Sequence, residues 1–325
     1  MGRKCNNAFQ KELAFTVSFR YNKGITEEAF MIDFILLFAT VCFVTMSKMV
    51  YKSNQQKNPE SGALLFSAFC CIFACIFFLC SGGFKFEFNS AIMPYVISFG
   101  ASYGTATVAT YFAIKTGSLS LTSLITSYSL VVPTVYGLLF LGEDGSILFY
   151  VGLVLLLISL MLIGMKGDKK SDTKTEDKPK ITPIWVLFVS LAFIGNGLCS
   201  TFQTAEQRAF MGAYKSELMI LSLLIVSLTL FVMALIFERD KLSVTLKKSI
   251  PFAFLYGMMN GAVNLFVMML TGSGRLSAAV IFPTISGGGI ITTALVGIFI
   301  YREKLTKWQD LSLILGTTAV VLMNL

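Results

Sequence analysis

Long apolar runs separated by short polar connections dominate the chain. A helix needs about 20 mostly apolar residues to cross the hydrocarbon core of a membrane. Runs of that length occur near 31–50, 62–81, 91–113, 119–141, 146–165, 182–203, 217–237, 250–270, 276–300 and 308–325. The pattern predicts an all-α integral membrane protein with ten transmembrane helices.

One connection differs from the others in its charge. The segment KGDKKSDTKTEDKPKITP (166–183) is polar, rich in lysine and ends in prolines, which is typical of a solvated linker. The sequence therefore predicts five helices at 31–165, a charged linker loop at 166–181 and five helices at 182–325. Residues 1–30 are polar and basic and lack the apolar segment of a signal peptide, so they are predicted to be a disordered or mis-called N-terminal extension.

The two predicted halves resemble each other in sequence. SLVVPTVYGLLFLGE ends at Glu143 and GIITTALVGIFIYRE ends at Glu303, so an apolar helix stops at an acid in each half. The displacement that places Glu143 on Glu303 also places Met165 on Leu325. Two successive repeats with an odd number of helices enter the membrane in opposite orientations, as in many secondary transporters. We therefore predict two inverted five-helix repeats, with both glutamates in structural roles at their turns.

Composition supports a membrane protein and excludes several kinds of chemistry. The chain is 55% hydrophobic and only 14% charged, whereas soluble domains are about 25% charged. It contains no histidine, which removes imidazole bases and histidine metal ligands. The seven cysteines lack the paired spacing of a zinc site. We expect no metal, no cofactor, no catalytic residue and no nucleic-acid partner, but a lipid bilayer around the protein.

The distribution of lysine and arginine predicts an orientation. The net charge of +8 sits mainly in the odd-numbered loops, whereas the even-numbered loops hold only Lys85, Arg208, Lys215 and Arg275. Because basic loops stay in the cytoplasm, both termini are expected outside if the chain starts at Met31, while a basic 1–30 tail would oppose that orientation. We expect the plasma membrane, which is the inner, cytoplasmic membrane in a bacterium.

At this level of detail the chain resembles a known family. The matching segments are TGSLSLTSLITSYSLVVPTVYGLLFLGE (116–143), SGRLSAAVIFPTISGGGIITTALVGIFIYREKLTKWQDLSLILGTTAVVLMNL (273–325) and VTMSKMVYK with Lys48. In their order and repetition they resemble the drug/metabolite transporter superfamily, and within it the EamA-type ten-helix members. The resemblance covers nearly all of 31–325. It implies movement of a small metabolite, often an amino acid or related compound, across the plasma membrane, with export as the direction that the family suggests.

The chain also departs from the family pattern. The second half has YRE where the family usually has a glycine before the glutamate, and Pro133 and Pro283 do not align between the halves. The four-helix exporters of the superfamily carry a glutamate in the middle of the first helix, where this chain has no acid and only Asp33 at the end. A proton is therefore a possible coupling ion by the resemblance alone, and the sequence predicts no buried carboxylate that would carry it.

Polar residues within apolar runs are the candidates for a substrate site. Such groups are costly in hydrocarbon and tend to face the bundle interior or a cavity. The substrate-binding candidates are Tyr103, Tyr111, Thr126, Tyr128, Asn196, Gln203, Asn260, Asn264 and Ser286. The alternative is that they hydrogen-bond neighbouring helices, each bond contributing about 0.6 kcal/mol. Both interpretations stay open for every residue in the set.

A second set could act at a gate or hinge. Lys48 lies late in the first predicted helix, where it could contact an anionic substrate group or extend toward the headgroups. Pro283, Gly287, Gly288 and Gly289 interrupt the ninth predicted helix. They could bend it toward a cavity, or let a neighbouring helix approach closely.

The predicted function is secondary active transport by alternating access, with the substrate near the bilayer midplane. An amino acid or another zwitterionic or polar solute fits a helix bundle without mid-span acids better than a strongly charged one. The alternatives are an intramembrane lipid-modifying enzyme and a membrane sensor or scaffold without transport. We expect no enzyme, since the required carboxylates or nucleophile–base pairs are not evident, and a monomer or homodimer.

Overall fold

A computed structural model describes residues 27–117, 122, 125, 126, 128–143, 145–165, 182–299 and 307–323. Helices account for most of these residues, and no strand occurs within the described ranges. The helices are α1 (Glu27–Lys57), α2 (Ala63–Ser81), α3 (Met93–Thr116), α4 (Val131–Phe140), α5 (Ile147–Met165), α6 (Pro183–Ala209), α7 (Lys215–Phe237), α8 (Ile250–Ser273), α9 (Ala278–Phe299) and α10 (Lys307–Met323).

Five stretches are long and apolar enough to cross a membrane. They are Met31–Lys57, Ala63–Ser81, Pro183–Ala209, Lys215–Phe237 and Arg239–Ser273, the last of which includes short helical turns before α8. Shorter apolar helical stretches occur at Tyr128–Phe140, Ile147–Ser159, Ala278–Thr293 and Ile314–Met323. The helical content and these five stretches fit a multi-pass membrane protein.

A helix lies at each predicted apolar run, but the bounds differ at several ends. The first predicted run, 31–50, lies within the longer α1. The sixth, 182–203, continues as α6 to Ala209. The fourth, 119–141, is described as a 3₁₀ turn at Tyr128–Leu130 followed by α4. The largest of these extensions carry polar residues, which an apolar-run criterion excludes.

Local sequence signals explain where several helices begin and end. Pro94 and Pro183 occupy the first turns of α3 and α6, where proline loses no intrahelical hydrogen bond. The Thr182 side chain accepts a hydrogen bond from the Trp185 N–H at 3.2 Å and so caps α6. Gly274 ends α8 in the left-handed conformation, with φ of 66°.

The largest buried cluster joins α2, α3 and α7. Phe78, Phe99 and Leu218 are almost fully buried in it. Small residues let further helices approach: a Cβ at Gly257 of α8 would lie 2.6 Å from the Cys70 carbonyl oxygen of α2. A Cβ at Gly261 of α8 would likewise lie 2.6 Å from the Phe77 ring of α2. Glycines spaced four apart are expected where membrane helices pack closely.

The helices from the two halves of the sequence interleave. Among the described residues, α1 contacts α8 and α9, while α6 contacts α3 and α4. Helix α2 contacts α7 and α8, α3 contacts α7, α4 contacts α9, and α5 contacts α10. Most contacts between helices therefore join one helix from 31–165 with one from 182–325.

Some predicted features lie outside the described residues. They are most of the 1–30 extension, the linker loop at 166–181 and the turn with Glu303.

Candidate functional site

Two of the predicted polar residues connect α6 to its neighbours. The Asn196 Nδ2 donates a hydrogen bond to the Ser129 Oγ at 2.6 Å, which joins α6 to the 3₁₀ turn before α4. The Gln203 Nε2 donates to the Asn264 Oδ1 of α8 at 3.3 Å. Both bonds correspond to the helix-connecting alternative, and they place Asn196 and Gln203 on the inner side of the bundle.

Asn260 and Asn264 lie on one face of α8, as their spacing predicts. The Asn264 Nδ2 donates to the Asn260 backbone oxygen at 2.8 Å, one turn earlier. Both side chains are half-buried. Within the described ranges, no hydrogen bond is made by the Asn260 side chain, so its amide is available for another group.

The three tyrosine candidates do not lie together in one place. Tyr103 packs on Phe99 with ring centroids 6.0 Å apart. The Lys115 Nζ lies 4.3 Å from the centroid of the Tyr111 ring, near the end of α3. The Tyr128 hydroxyl donates to the Leu157 carbonyl of α5 at 3.2 Å. Tyr128 therefore makes a bond of the helix-connecting kind, while Tyr103 and Tyr111 make ring contacts within α3.

The remaining two candidates are hydroxyl residues. The Thr126 hydroxyl donates to the Thr122 carbonyl at 2.9 Å, one turn earlier on the same segment. Ser286 is half-buried on α9.

Helix α9 is continuous through Pro283 and the three glycines. A Cβ at Gly288 would lie 2.8 Å from the Val41 Cγ2 of α1, and one at Gly289 would lie 3.2 Å from the Val44 Cγ1. Both contacts support the close-packing alternative for Gly288 and Gly289. Gly287 is buried on the same helix. The glycines thus bring α9 against α1, where the hydroxyls of Thr45 and Thr292 are in hydrogen-bond contact.

Lys48 extends inward rather than toward the end of its helix. Its Nζ lies 3.7 Å from the position that a Cβ would occupy at Gly289. That position is also next to Val44, one turn before Lys48. The ammonium therefore points back into the bundle, which argues against the expectation that it extends to the headgroups.

Glu143 has the structural role predicted for it. Its two carboxylate oxygens accept hydrogen bonds from the Ala278 N–H at 2.9 Å and the Ala279 N–H at 3.1 Å, in the first turn of α9. The Arg208 Nη2 at the end of α6 contacts the same carboxylate at 3.2 Å and donates to the Leu276 carbonyl at 3.1 Å. A negative charge at a helix N-terminus is favourable, so Glu143 stabilises α9 and links it to α6.

A second ion pair lies at the same end of the bundle. Arg275 donates through Nε and Nη2 to the two carboxylate oxygens of Asp33, each at 2.6 Å. The Asp33 side chain is fully buried. These hydrogen bonds raise the pKa of Arg275 above its ordinary value, so the arginine stays charged at any physiological pH. The pair fastens the start of α1 to the connection between α8 and α9.

The prediction that the chain has no buried carboxylate is wrong. Glu206 and Gln207, near the end of α6, are fully buried, and the Gln207 Nε2 donates a hydrogen bond to the Glu206 Oε2. The Glu206 Oε1 and the Gln207 Oε1 have no partner within the described ranges. Glu206 lies beyond the apolar run 182–203, in the polar extension of α6, so the lack of acids in the middle of the runs says nothing about it.

Glu238 supplies another buried carboxylate at the opposite end. Its oxygens accept hydrogen bonds from the N–H groups of Ala63, Leu64 and Leu65 at 2.9 to 3.2 Å, in the first turn of α2. The residue itself ends α7. It therefore caps a helix from the other half of the sequence.

Helical spacing was the signal that could have found the buried pair on α6. Gln203 and Gln207 are four apart, and Glu206 is three after Gln203, so all three extend one polar face. No comparable signal identifies the partners of Asp33, Arg208 and Glu238, because those contacts join distant segments. Where the structure describes the chain, no group of three or more potential metal-ligating acids or cysteines occurs.

Comparison with known proteins provides a fold but no family. No protein-family model and no curated protein sequence matches the chain. The structure is similar to a solved one described only as "Crystal structure of protein", with a TM-score of 0.69 and 11% sequence identity over 90% of this chain and 96% of that chain. At this level of identity the match shows that the chain has a fold already seen in a solved structure.

Proposed function

We propose that the protein is a secondary active transporter, in the direction of export, of a small polar or zwitterionic metabolite such as an amino acid. The helix contacts are the observation that carries this proposal. Exchanging each helix of the first half with the helix five places later turns α1–α8 into α6–α3, and α1–α9 into α6–α4, whereas α9–α10 and α6–α8 have no comparable counterpart among the described residues. It turns α2–α8 into α7–α3 and leaves α2–α7, α4–α9 and α5–α10 unchanged.

This symmetry of contacts supports two inverted five-helix repeats, with ten membrane crossings. In transporters built this way, the substrate site lies near the bilayer midplane at the repeat interface. Asn196, whose hydrogen bond to Ser129 joins the two halves, is a candidate for such an interface, and the half-buried Asn260 and Asn264 lie on the neighbouring α8. Transport across the plasma membrane is the function that the resemblance to EamA-type members implies, and it also fits the proposed repeat.

Glu206 is the group that we assign to proton coupling. It is fully buried, and one of its oxygens has no hydrogen-bond partner within the described ranges. A buried carboxylate that lacks a full set of partners is costly when charged, so protonation relieves that cost. The charged groups that act on it are Lys215 and Glu217 at the start of α7. Binding and release of a proton there would couple a gradient to transport.

Transport by purified protein in liposomes tests the proposal directly. Vesicles are loaded with a defined mixture of amino acids, organic acids, sugars and amines, and efflux is measured by mass spectrometry with and without an imposed proton gradient. We expect selective efflux of at least one amino acid or related solute. If protein-containing vesicles release no solute faster than empty ones under any gradient, the proposed function is wrong.

Replacing Glu206 tests the coupling. We expect Glu206→Gln to keep solute exchange between equal concentrations, because glutamine resembles the protonated acid, and to lose accumulation driven by a proton gradient. Glu60→Gln is the control, because this half-exposed acid pairs with Lys248, and it should keep both activities. Proton-driven accumulation that survives in Glu206→Gln would exclude this residue as the coupling group.

A further inference from the structure

We propose that Lys48 binds an anionic group of the transported solute, most simply one carboxylate. This inference rests on the proposed transport function and specifies the chemistry of its substrate.

The face of α1 that carries Lys48 is turned toward the rest of the bundle. Residues four and seven positions apart lie on one helix face, so Lys48 shares its face with Val44 and Val41. Val41 is buried, and it contacts α9 at Gly288. The exposed residues Phe38 and Met46 of α1 lie on another side of the helix. Lys48 is therefore part of the inner face.

Lys48 is nevertheless exposed, as are Lys52 and Gln55, which continue the same face toward the end of α1. The packed part of this face therefore ends at Lys48, and its side chain borders open space there. The missing side chain at Gly289 contributes to this space, since a Cβ there would lie 3.7 Å from the Lys48 Nζ.

The ammonium has no counter-ion in this position. Within the described part of the chain, no ion pair or hydrogen bond is made by Lys48, whereas Arg208 and Arg275 each pair with an acid. Between Asp33 and Lys52 it is the sole charged residue of α1, and α8 and α9 contain none. An unpaired charge within a membrane protein is costly, and a bound anion would remove that cost.

Polar groups at the same level can complete the site. Helices α1 and α8 run antiparallel, because Phe43 lies against Phe266 and Tyr51 against Tyr256, with ring centroids 5.8 and 6.0 Å apart. Interpolation between these contacts places Val44, next to which the Lys48 ammonium lies, at the level of Asn264. Ser286 lies one turn before Gly289 on α9. An ammonium, an amide and a hydroxyl together suit a singly charged carboxylate.

The test compares Lys48→Met with Lys52→Met in the same proteoliposome efflux assay. Lys52 is one turn further along α1 and serves as the matched control. With the wild-type protein, we expect every transported solute to carry an anionic group. Replacing the carboxylate of such a solute by its carboxamide should reduce transport at least tenfold. Lys48→Met should lose transport of the acid, Lys48→Arg should keep part of it, and Lys52→Met should keep all of it.

Three results separate the possible failures. Undiminished transport of the acid by Lys48→Met, in protein with a wild-type elution profile and melting temperature, would overturn the role of Lys48. Equal transport of the acid and its carboxamide by the wild-type protein would overturn anion recognition. In both cases the transport function itself stands. If no solute is transported by the wild-type protein, the proposed function and this inference fail together.

Discussion

At the scale of single residues, glycine positions differ sharply in what surrounds them. A Cβ at Gly288 would meet the buried Val41 at 2.8 Å, whereas a Cβ at Gly104 of α3 would meet nothing within 4 Å. Valine is stiff about χ1 and cannot easily turn away. The two glycines therefore offer a matched comparison of crowded and open positions.

We expect Gly288→Ala to lower the thermal unfolding temperature and to slow transport, because α9 must move away from α1. Gly104→Ala should leave both unchanged or raise the unfolding temperature, since alanine is about 1 kcal/mol better than glycine within a helix. The larger replacement Gly288→Leu should abolish transport while the protein still inserts into the membrane. Normal transport by Gly288→Leu would show that the α1–α9 contact is not needed.

The same scale shows what sequence can predict about the site. Spacing correctly placed Asn260 and Asn264 on one helix face, and polarity within an apolar run identified Asn196 and Gln203 as inward residues. The hydrogen-bond partners could not be predicted, because Ser129 lies 67 residues from Asn196 and Asn264 lies 61 residues from Gln203. Whether Asn260 contacts substrate stays a prediction.

At the scale of helices, one carboxylate stabilises the start of α2. Three N–H groups in the first turn of a helix have no partner inside that helix, and here they donate to Glu238. Glu60 is a useful contrast, since it forms an ion pair with Lys248 at 2.6 Å with both side chains about half exposed.

We expect Glu238→Ala to reduce the free energy of unfolding by about 2 kcal/mol, because a buried helix N-terminus loses its acceptor. Glu238→Gln should lose less, since one amide oxygen remains. Glu60→Ala should cost less than about 1 kcal/mol, as is usual for an exposed ion pair. Chemical unfolding in detergent measures all three, and an equal cost for Glu238→Ala and Glu60→Ala would contradict the capping role.

The sequence predicted where helices occur more reliably than where each helix begins and ends. Every predicted apolar run contains a helix, because burial in lipid or protein requires the backbone to bond within the segment. The end of α6 was missed since its last residues, TAEQRA, include the polar side chains Thr204, Glu206 and Gln207, which are buried all the same. Capping by Glu143 was predictable from the turn, but its target, α9, was not.

At the scale of the whole molecule, the two halves of the sequence are not two separate bodies. Most helix contacts join one half to the other. In the proposed transport cycle, an alternating-access movement would displace groups of helices taken from both halves, rather than rock 31–165 against 182–325. The Asp33–Arg275 and Glu143–Arg208 pairs lie at one end of the bundle and join helices there.

A double-mutant cycle measures how strongly Asp33 and Arg275 stabilise each other. Arg275→Met leaves the fully buried Asp33 without its partner, which should cost about 3 kcal/mol of unfolding free energy. Adding Asp33→Asn removes the stranded charge, so the double variant should recover part of the loss. If the losses of unfolding free energy in the two single variants add up to the loss in the double variant, Asp33 and Arg275 do not stabilise each other.

The cap on α2 joins two residues that are synthesised far apart in time. Ala63 is synthesised 175 residues before the carboxylate that its N–H group contacts. Because synthesis proceeds from the N-terminus, α2 is made before Glu238 and gains this cap only after α7 is complete. Glu143 reverses this relation, since it precedes the helix that it caps by 135 residues. Each half thus supplies a cap to a helix of the other.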